Sequence, residues 1–275
     1  MERLPSVAVI IVTHDSARVL PHCLAAVARQ TLPPARICVV DSASPAPGYL
    51  AALPPPVELV PLAENIGFAR ANNAGFLQCG QGVDYVLFLN PDALLAPDAV
   101  ERAVLHLAAD PRVGALTGRL LGYDFTELAP TGRLDSTGIF RKWYGRWFDR
   151  GQGEADQGQY ARPEDLPAAC GAMLFCRGEA LARAMLPAGM VFAPDFFLYK
   201  EDIELCLRLR GKGWLVRYAP EVVAWHGRGW GQRREMNLAL RRLAASSELV
   251  LYRRHPSPYL LWALLKYLAV RLLKV

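Results

Sequence analysis

Short apolar runs and helical repeats alternate through the first 120 residues. Val7 to Val12 is apolar at every position, as in a strand buried on both faces. After His14-Asp15-Ser16, the residues Leu20, Leu24, Val27 and Ala28 recur at helical spacing, and Pro33-Pro34 closes that helix. The same reading predicts strands at Arg36 to Val40, Val57 to Leu62 and Tyr85 to Leu89. It predicts helices from Glu64 to about Gln78 and from Asp98 to about Ala109. Strands alternating with helices imply an α/β fold, a mostly parallel central sheet flanked by crossover helices. In such a sheet the carboxyl ends of the strands line one crevice. Three strands end on polar residues, at His14-Asp15, Asp41 and Asn90-Pro91-Asp92, so a ligand is expected there.

From about Leu121 to Pro167 the pattern turns irregular and rich in Gly, Tyr, Trp and Arg, as in the run Arg141 to Trp147. It suits either a surface insertion with a packed aromatic cluster or a wall for a second substrate. Ala168 to Cys176 then reads as a buried strand, Gly178 opens a helix, Glu201 to Arg210 is helical, and Trp214 to Tyr218 is a last strand. Tyr259 to Val275 is apolar except for Lys266, Arg271 and Lys274, which fall within an arc of about 140° on a helix. This C-terminal amphipathic helix is too interrupted to span a bilayer. It suits peripheral contact with an anionic membrane, packing on the catalytic domain, or a homodimer. The expected division is one α/β domain over 1–235, with one half to about 120 and a second half beyond it, then a helical extension over 236–275.

Composition narrows the class. Of 275 residues, 52% are hydrophobic and 21% charged, which excludes a disordered chain. The net charge of +5 favours anionic ligands and falls short of a nucleic-acid binder. The six cysteines show no CxxC pairing, which points to reduced thiols and a cytoplasmic location, on the cytoplasmic face of the membrane if the last helix docks there. The apolar run at Val7 is too short for a signal peptide.

Four stretches carry candidate chemistry. Asn90-Pro91-Asp92 sets a carboxylate at a strand end, where Mg2+ or Mn2+ could bridge it to phosphate oxygens, although the tripeptide is also ordinary turn chemistry. Asn65 to Gly75 places Arg70 and Asn73 among small residues that let a diphosphate and a sugar approach. Glu201-Asp202 opens a helix. Neighbouring helical residues point about 100° apart, so one carboxylate can act as general base while the other supports it. His226 lies in a glycine-rich stretch with Arg228 and Trp230, read as a mobile loop able to close over a metal-phosphate centre.

Together, Thr13-His14-Asp15, Val40-Asp41-Ser42, NIGFARANNAG, LFLNPD, FFLYKEDIELCLRLRGKGW and WHGRG resemble the family 2 glycosyltransferases, and within them the rhamnosyltransferase-like branch. The resemblance spans about 6–232. It implies a GT-A fold and an inverting, metal-dependent transfer of a sugar from a dTDP- or UDP-linked donor to a saccharide or lipid-linked saccharide. dTDP-rhamnose is the first expectation, within polysaccharide or glycolipid synthesis. It implies that Thr13, Asp15 and Asp41 hold base and ribose, that Arg70, Asn73 and Asn90 face the donor, and that Asp92 and His226 serve the metal. Asp202 would be the base with Glu201 in support, and Arg228 and Trp230 would lie on the acceptor side or a lid. The family's DXD triplet is here Asn90-Pro91-Asp92. A nucleotidyltransferase is the competing enzyme, but the segment after the first strand lacks its glycine-rich basic loop. A catalytically silent nucleotide-sugar-binding protein is the competing non-enzyme.

Overall fold

The structure is a computed structural model that describes residues 4–228 and 238–272. Its central strand, β1 (Val7–Thr13), is buried along its whole length, as its unbroken apolar run requires. Helix α1 (Leu20–Ala28) crosses over to β2 (Arg36–Asp41), and a short 3-10 turn at Pro47–Ala52 leads to β3 (Val57–Pro61). Helix α2 (Phe68–Gly75) runs into a π-helical turn at Phe76–Gly80 and returns the chain to β4 (Tyr85–Leu89). The strands lie in the order β3-β2-β1-β4, all parallel. Thr13 therefore stands opposite Asp41 in register, and both strand ends share one edge.

After β4 come β5 (Ala93–Leu95), α3 (Ala99–Ala109) and the long β6 (Val113–Asp124). The stretch expected to be irregular instead holds β7 (Ala129–Ser136), β8 (Ile139–Arg141), β9 (Trp147–Asp149) and β10 (Glu164–Asp165). Of these, β7 pairs with β6, β8 with β9, and β10 lies at the sheet edge on the last strand. Their polar and glycine-rich sequences hide them because they pair at edges, where neither face needs a full apolar row. The chain then forms β11 (Met173–Arg177), α4 (Gly178–Ala184), α5 (Glu201–Gly211) and β12 (Leu215–His226). β11 is antiparallel to β4 and β6, whereas β12 is parallel to β6.

β12 runs eight residues past the expected end at Tyr218, through a bulge between Ala219 and Val223 that accommodates Pro220. Gly118 makes room for the bulge: a Cβ there would sit 1.8 Å from the Val222 carbonyl oxygen. His226 consequently ends a strand rather than riding on a mobile loop, and it is 4% exposed. Beyond it, α6 (Leu238–Arg254) precedes the expected terminal helix, α7 (Leu260–Leu272), the two separated at His255-Pro256-Ser257-Pro258. Among the described residues no helix is long and apolar enough to cross a membrane.

Candidate active site

The Asn90-Pro91-Asp92 corner lies between β4 and β5, and β12 comes to it because His226 pairs with Ala93. The Asp92 carbonyl accepts from Gly227 N–H (2.9 Å), and its carboxylate accepts from Arg228 N–H (3.2 Å). His226 Nε2 stands 3.3 Å from Asp92 Oδ1 and 3.3 Å from the Asn90 amide nitrogen. On the far side of the ring, His226 Nδ1 donates to Asp135 Oδ2 (2.8 Å), a carboxylate fully buried on β7. Burial opposes charge on the imidazole, but Asp92 and Asp135 outweigh it and lift the His226 pKa to about 9. Burial likewise opposes the Asp92 charge, and the histidine cation with the N–H groups holds that carboxyl below its ordinary value.

Asp202 reaches the same corner through three consecutive residues. Its Oδ2 accepts from Gly171 N–H (2.9 Å) and its Oδ1 from Ile203 N–H (2.8 Å). Next to Gly171, the Ala172 carbonyl accepts from Asn90 N–H (3.0 Å), and on the other side Cys170 Sγ accepts from Arg228 (3.2 Å). The lack of a side chain at Gly171 permits this approach, since a Cβ would lie 3.1 Å from Asp202 Cβ. The two adjacent carboxylates diverge. Glu201 is 5% exposed, its Oε2 has no hydrogen-bond partner among the described residues, and burial together with the Asp202 charge pushes its pKa up to about 8. Asp202 is half-buried, and burial raises its pKa too, countered by the Gly171 N–H and the Lys200 charge. Both carboxyls of this pair are pushed up by burial, and the backbone N–H groups of Gly171 and Ile203 oppose the rise at Asp202.

The other expected residues divide by exposure. Asp15, with φ 53°, is exposed on the rim beside His14, and its N–H donates to Ser44 Oγ (2.8 Å). Arg70 is exposed on α2, where its Nε donates to the Pro194 carbonyl (2.8 Å). Three residues do something other than expected. Thr13 is fully buried and shares its hydroxyl with Tyr49 (3.0 Å). Asp41, 3% exposed, accepts from both Ser44 N–H (3.1 Å) and Ser44 Oγ, so it fixes the turn after β2. Asn73 turns its amide to backbone: Oδ1 accepts from Val191 and Phe192 N–H (2.9 and 2.8 Å), and Nδ2 donates to the Phe192 carbonyl (2.8 Å). It therefore clamps 191–192 rather than facing a donor.

Arg228 is a correction of another kind. Its guanidinium is ion-paired with Asp149 (2.7 Å) and Asp135 (3.3 Å), so it braces the corner from within instead of swinging as a lid. Trp230 lies outside the described residues. Asp135, Asp149 and Tyr49 belong to the site's framework and were not singled out in the sequence. An isolated Asp within Leu134-Asp135-Ser136 carries no local signal, because its role comes only from β7 crossing behind His226.

Asp92 offers a carboxylate oxygen of the kind a hard divalent cation takes, whereas His226, as a cation, offers it no lone pair. Asp92 oxygen and His226 nitrogen face each other, while among the described residues no three such groups converge on one point, so phosphate oxygens would have to complete the shell. A cleft of about 300 Å³ lined by His22, Arg29, Tyr123 and Trp225 contains none of the expected site residues.

The sequence pattern of the Glycosyl transferase family 2 matches residues 8–181. The chain is 26% identical over 283 residues to the N-acetylglucosaminyl-diphospho-decaprenol L-rhamnosyltransferase of Mycobacterium tuberculosis, covering 96% of this chain and 90% of that protein. It is 28% identical over 233 residues to an N-acetylglucosaminyltransferase of Mesorhizobium japonicum, covering 81% of this chain and 51% of that one. Among solved structures, GalNAc-T7 with UDP, GalNAc and Mn2+ has a TM-score of 0.65 at 16% identity, over 94% of this chain and 52% of that one, so this chain spans about half its length. The mannosyltransferase PcManGT of Pyrobaculum calidifontis with GDP-Man and Mn2+ has a TM-score of 0.60 at 22% identity, over 98% and 70%. These likenesses fit the expected GT-A fold.

Proposed function

The chain belongs to glycosyl transferase family 2, and on that premise we propose that it moves a deoxyhexose, L-rhamnose first, from a dTDP- or UDP-linked donor to a hydroxyl of a lipid-linked saccharide, with inversion. The observation that carries this reading is the Asp202 carboxylate, held by Gly171 one residue from the Ala172 carbonyl that anchors the Asn90 corner. The donor and acceptor class follow the Mycobacterium tuberculosis relative, whose name states an L-rhamnose transfer and an N-acetylglucosaminyl-diphospho-decaprenol. In this reading 1–120 receives the nucleotide, 121–235 shapes the acceptor side, and 236–275 is a helical extension.

Asp202 has two of about four carboxylate lone-pair sites occupied by backbone N–H groups, leaving sites to take the acceptor proton as its oxygen attacks the anomeric carbon. Glu201 lies buried beside it, its pKa pushed up to about 8 by burial and by the Asp202 charge. Asp92 would hold Mg2+ or Mn2+, joined by His226 only once its Nε2 has lost its proton, and the ion would supply positive charge against the leaving diphosphate. Asp135 keeps His226 Nδ1 engaged, so Nε2 is the nitrogen turned to Asp92. Exposed Arg70 and Asp15 line the donor rim, where Arg70 meets diphosphate charge. No covalent enzyme intermediate is needed.

The test is a panel of nucleotide sugars incubated with Mn2+ and a prenyl-diphospho-N-acetylglucosamine acceptor, followed by mass spectrometry and anomeric NMR. Transfer of one sugar with inverted configuration is expected. Binding of donors without hydrolysis or transfer under any of these conditions overturns the reading in favour of a silent nucleotide-sugar-binding protein.

A further inference from the structure

Helix α7 is turned the wrong way round for a helix that ends on a protein core. It buries Ala263 and Val270, while Leu261, Leu264, Leu265, Leu268 and Leu272 are exposed, Leu261 by 64% and Leu272 by 72%. At 100° per residue these five leucines fill an arc of about 100°, opposite the buried pair. Lys266, expected on the water side, instead turns inward to an ion pair with Glu248, which is 1% exposed. Among the described residues the apolar stripe is thus left without a partner.

A second element, from about 120 residues earlier in the sequence, packs beside this stripe. The tip between β8 and β9 packs on α7: Tyr144 lies edge-on to Trp262 (5.0 Å), and Arg141 stacks over Tyr259 (4.3 Å). From that tip Trp143 projects 86% exposed, with Lys142 and Arg146 exposed beside it. An exposed Trp, basic side chains and a leucine stripe on adjoining elements match the interfacial layer of a bilayer. Charge decides between occupants. Residues 249–275 and 137–148 contain no Asp or Glu, so two copies joined through this face would bring like charges together. An anionic surface would attract it.

We propose that the leucine stripe of α7 and the Trp143 tip form a docking face for an anionic lipid surface. This deepens the proposed function, because α6 and α7 back the Asp202 turn. Ser247 Oγ donates to the Leu198 carbonyl (2.8 Å), and Lys200 lies within electrostatic reach of Glu248, Lys266 and Asp202. A docked face therefore holds Asp202 near the headgroup layer, where a lipid-linked saccharide presents its hydroxyls.

The experiment is flotation of the full chain with vesicles of phosphatidylcholine alone or mixed equally with phosphatidylglycerol, at low and high salt, without donor or acceptor. The chain should float with the mixed vesicles and be released by salt. Lys142→Ala and Arg146→Ala should each weaken binding by about fivefold at low salt. Leu264→Asp with Leu268→Asp should abolish it, and Trp143→Ala, on a side chain too exposed to matter for folding, should weaken it severalfold. All variants should retain transfer to a water-soluble acceptor analogue. The proposal is overturned if the wild type stays in the soluble fraction, or if these variants float like it. It is also overturned if the leucine variant converts a dimer to a monomer with vesicle binding unchanged, which assigns the face to a second copy. Lipid binding is read without any sugar, so absence of transfer tells against the proposed function alone.

Discussion

Replacing Asp202 by Asn separates the proposed base from its surroundings. In the structure Oδ2 accepts from Gly171 N–H and Oδ1 from Ile203 N–H, so an amide of the same shape must turn its NH2 toward one of these donors. That loses one backbone hydrogen bond, about 1–3 kcal/mol. Part of this is offset, because burial already disfavours the Asp202 charge that Asn removes. The net stability change should be about 1 kcal/mol, a Tm shift of about 2–4 °C in a domain of this size. The chemical step should suffer far more, since a positioned general base contributes about 10²–10⁴-fold, or about 3–5 kcal/mol. The assay is kcat/KM for sugar transfer, with Kd for the nucleotide sugar by calorimetry and Tm by scanning fluorimetry on the same preparations. Transfer should collapse while Kd moves by less than about threefold. A variant that keeps turnover within about tenfold of wild type refutes the role of Asp202.

Further outcomes follow from other residues. Glu201 has its folded pKa raised from 4.5 to about 8, so its stabilising contribution is full below about 4.5 and is lost as pH rises to about 8. Glu201→Gln, which keeps the neutral shape, should therefore gain on wild type between pH 5 and 8 by on the order of 2 kcal/mol, allowing for titration shared with Asp202; a Tm difference independent of pH would contradict this. Asn73→Ala should remove three buried hydrogen bonds to 191–192 and cost about 2–4 kcal/mol of stability in denaturant titrations. The folded fraction should still bind nucleotide with unchanged Kd, and a selective loss of affinity would restore Asn73 to the donor site. Asp135→Asn should free the His226 ring to turn and weaken Mn2+ binding about 10–100-fold in calorimetry with nucleoside diphosphate present; unchanged Mn2+ affinity would confine Asp135 to packing.

The sequence by itself determined the sheet that carries the site. The unbroken apolar runs at β1, β2 and β4 can be satisfied only by burial on both faces, and the polar residues after them must then gather at one edge. Only the tertiary structure decided which polar residues face a ligand. Thr13, Asp41 and Asn73 look like ligand-binding groups in a linear pattern, yet each is buried and engaged within the fold, by Tyr49, by Ser44 and by the backbone of 191–192. The reverse holds for Asp135 and Asp149, which lie in a stretch without periodicity and matter because β7 and β9 fold them behind His226 and Arg228. The direction of α7 was settled the same way: a helical wheel places Lys266 in water, and a buried Glu248 on another helix draws it inward and leaves the leucines outside. Periodicity reports the burial that a chain requires of itself, whereas partner choice depends on groups distant in sequence that meet only after folding.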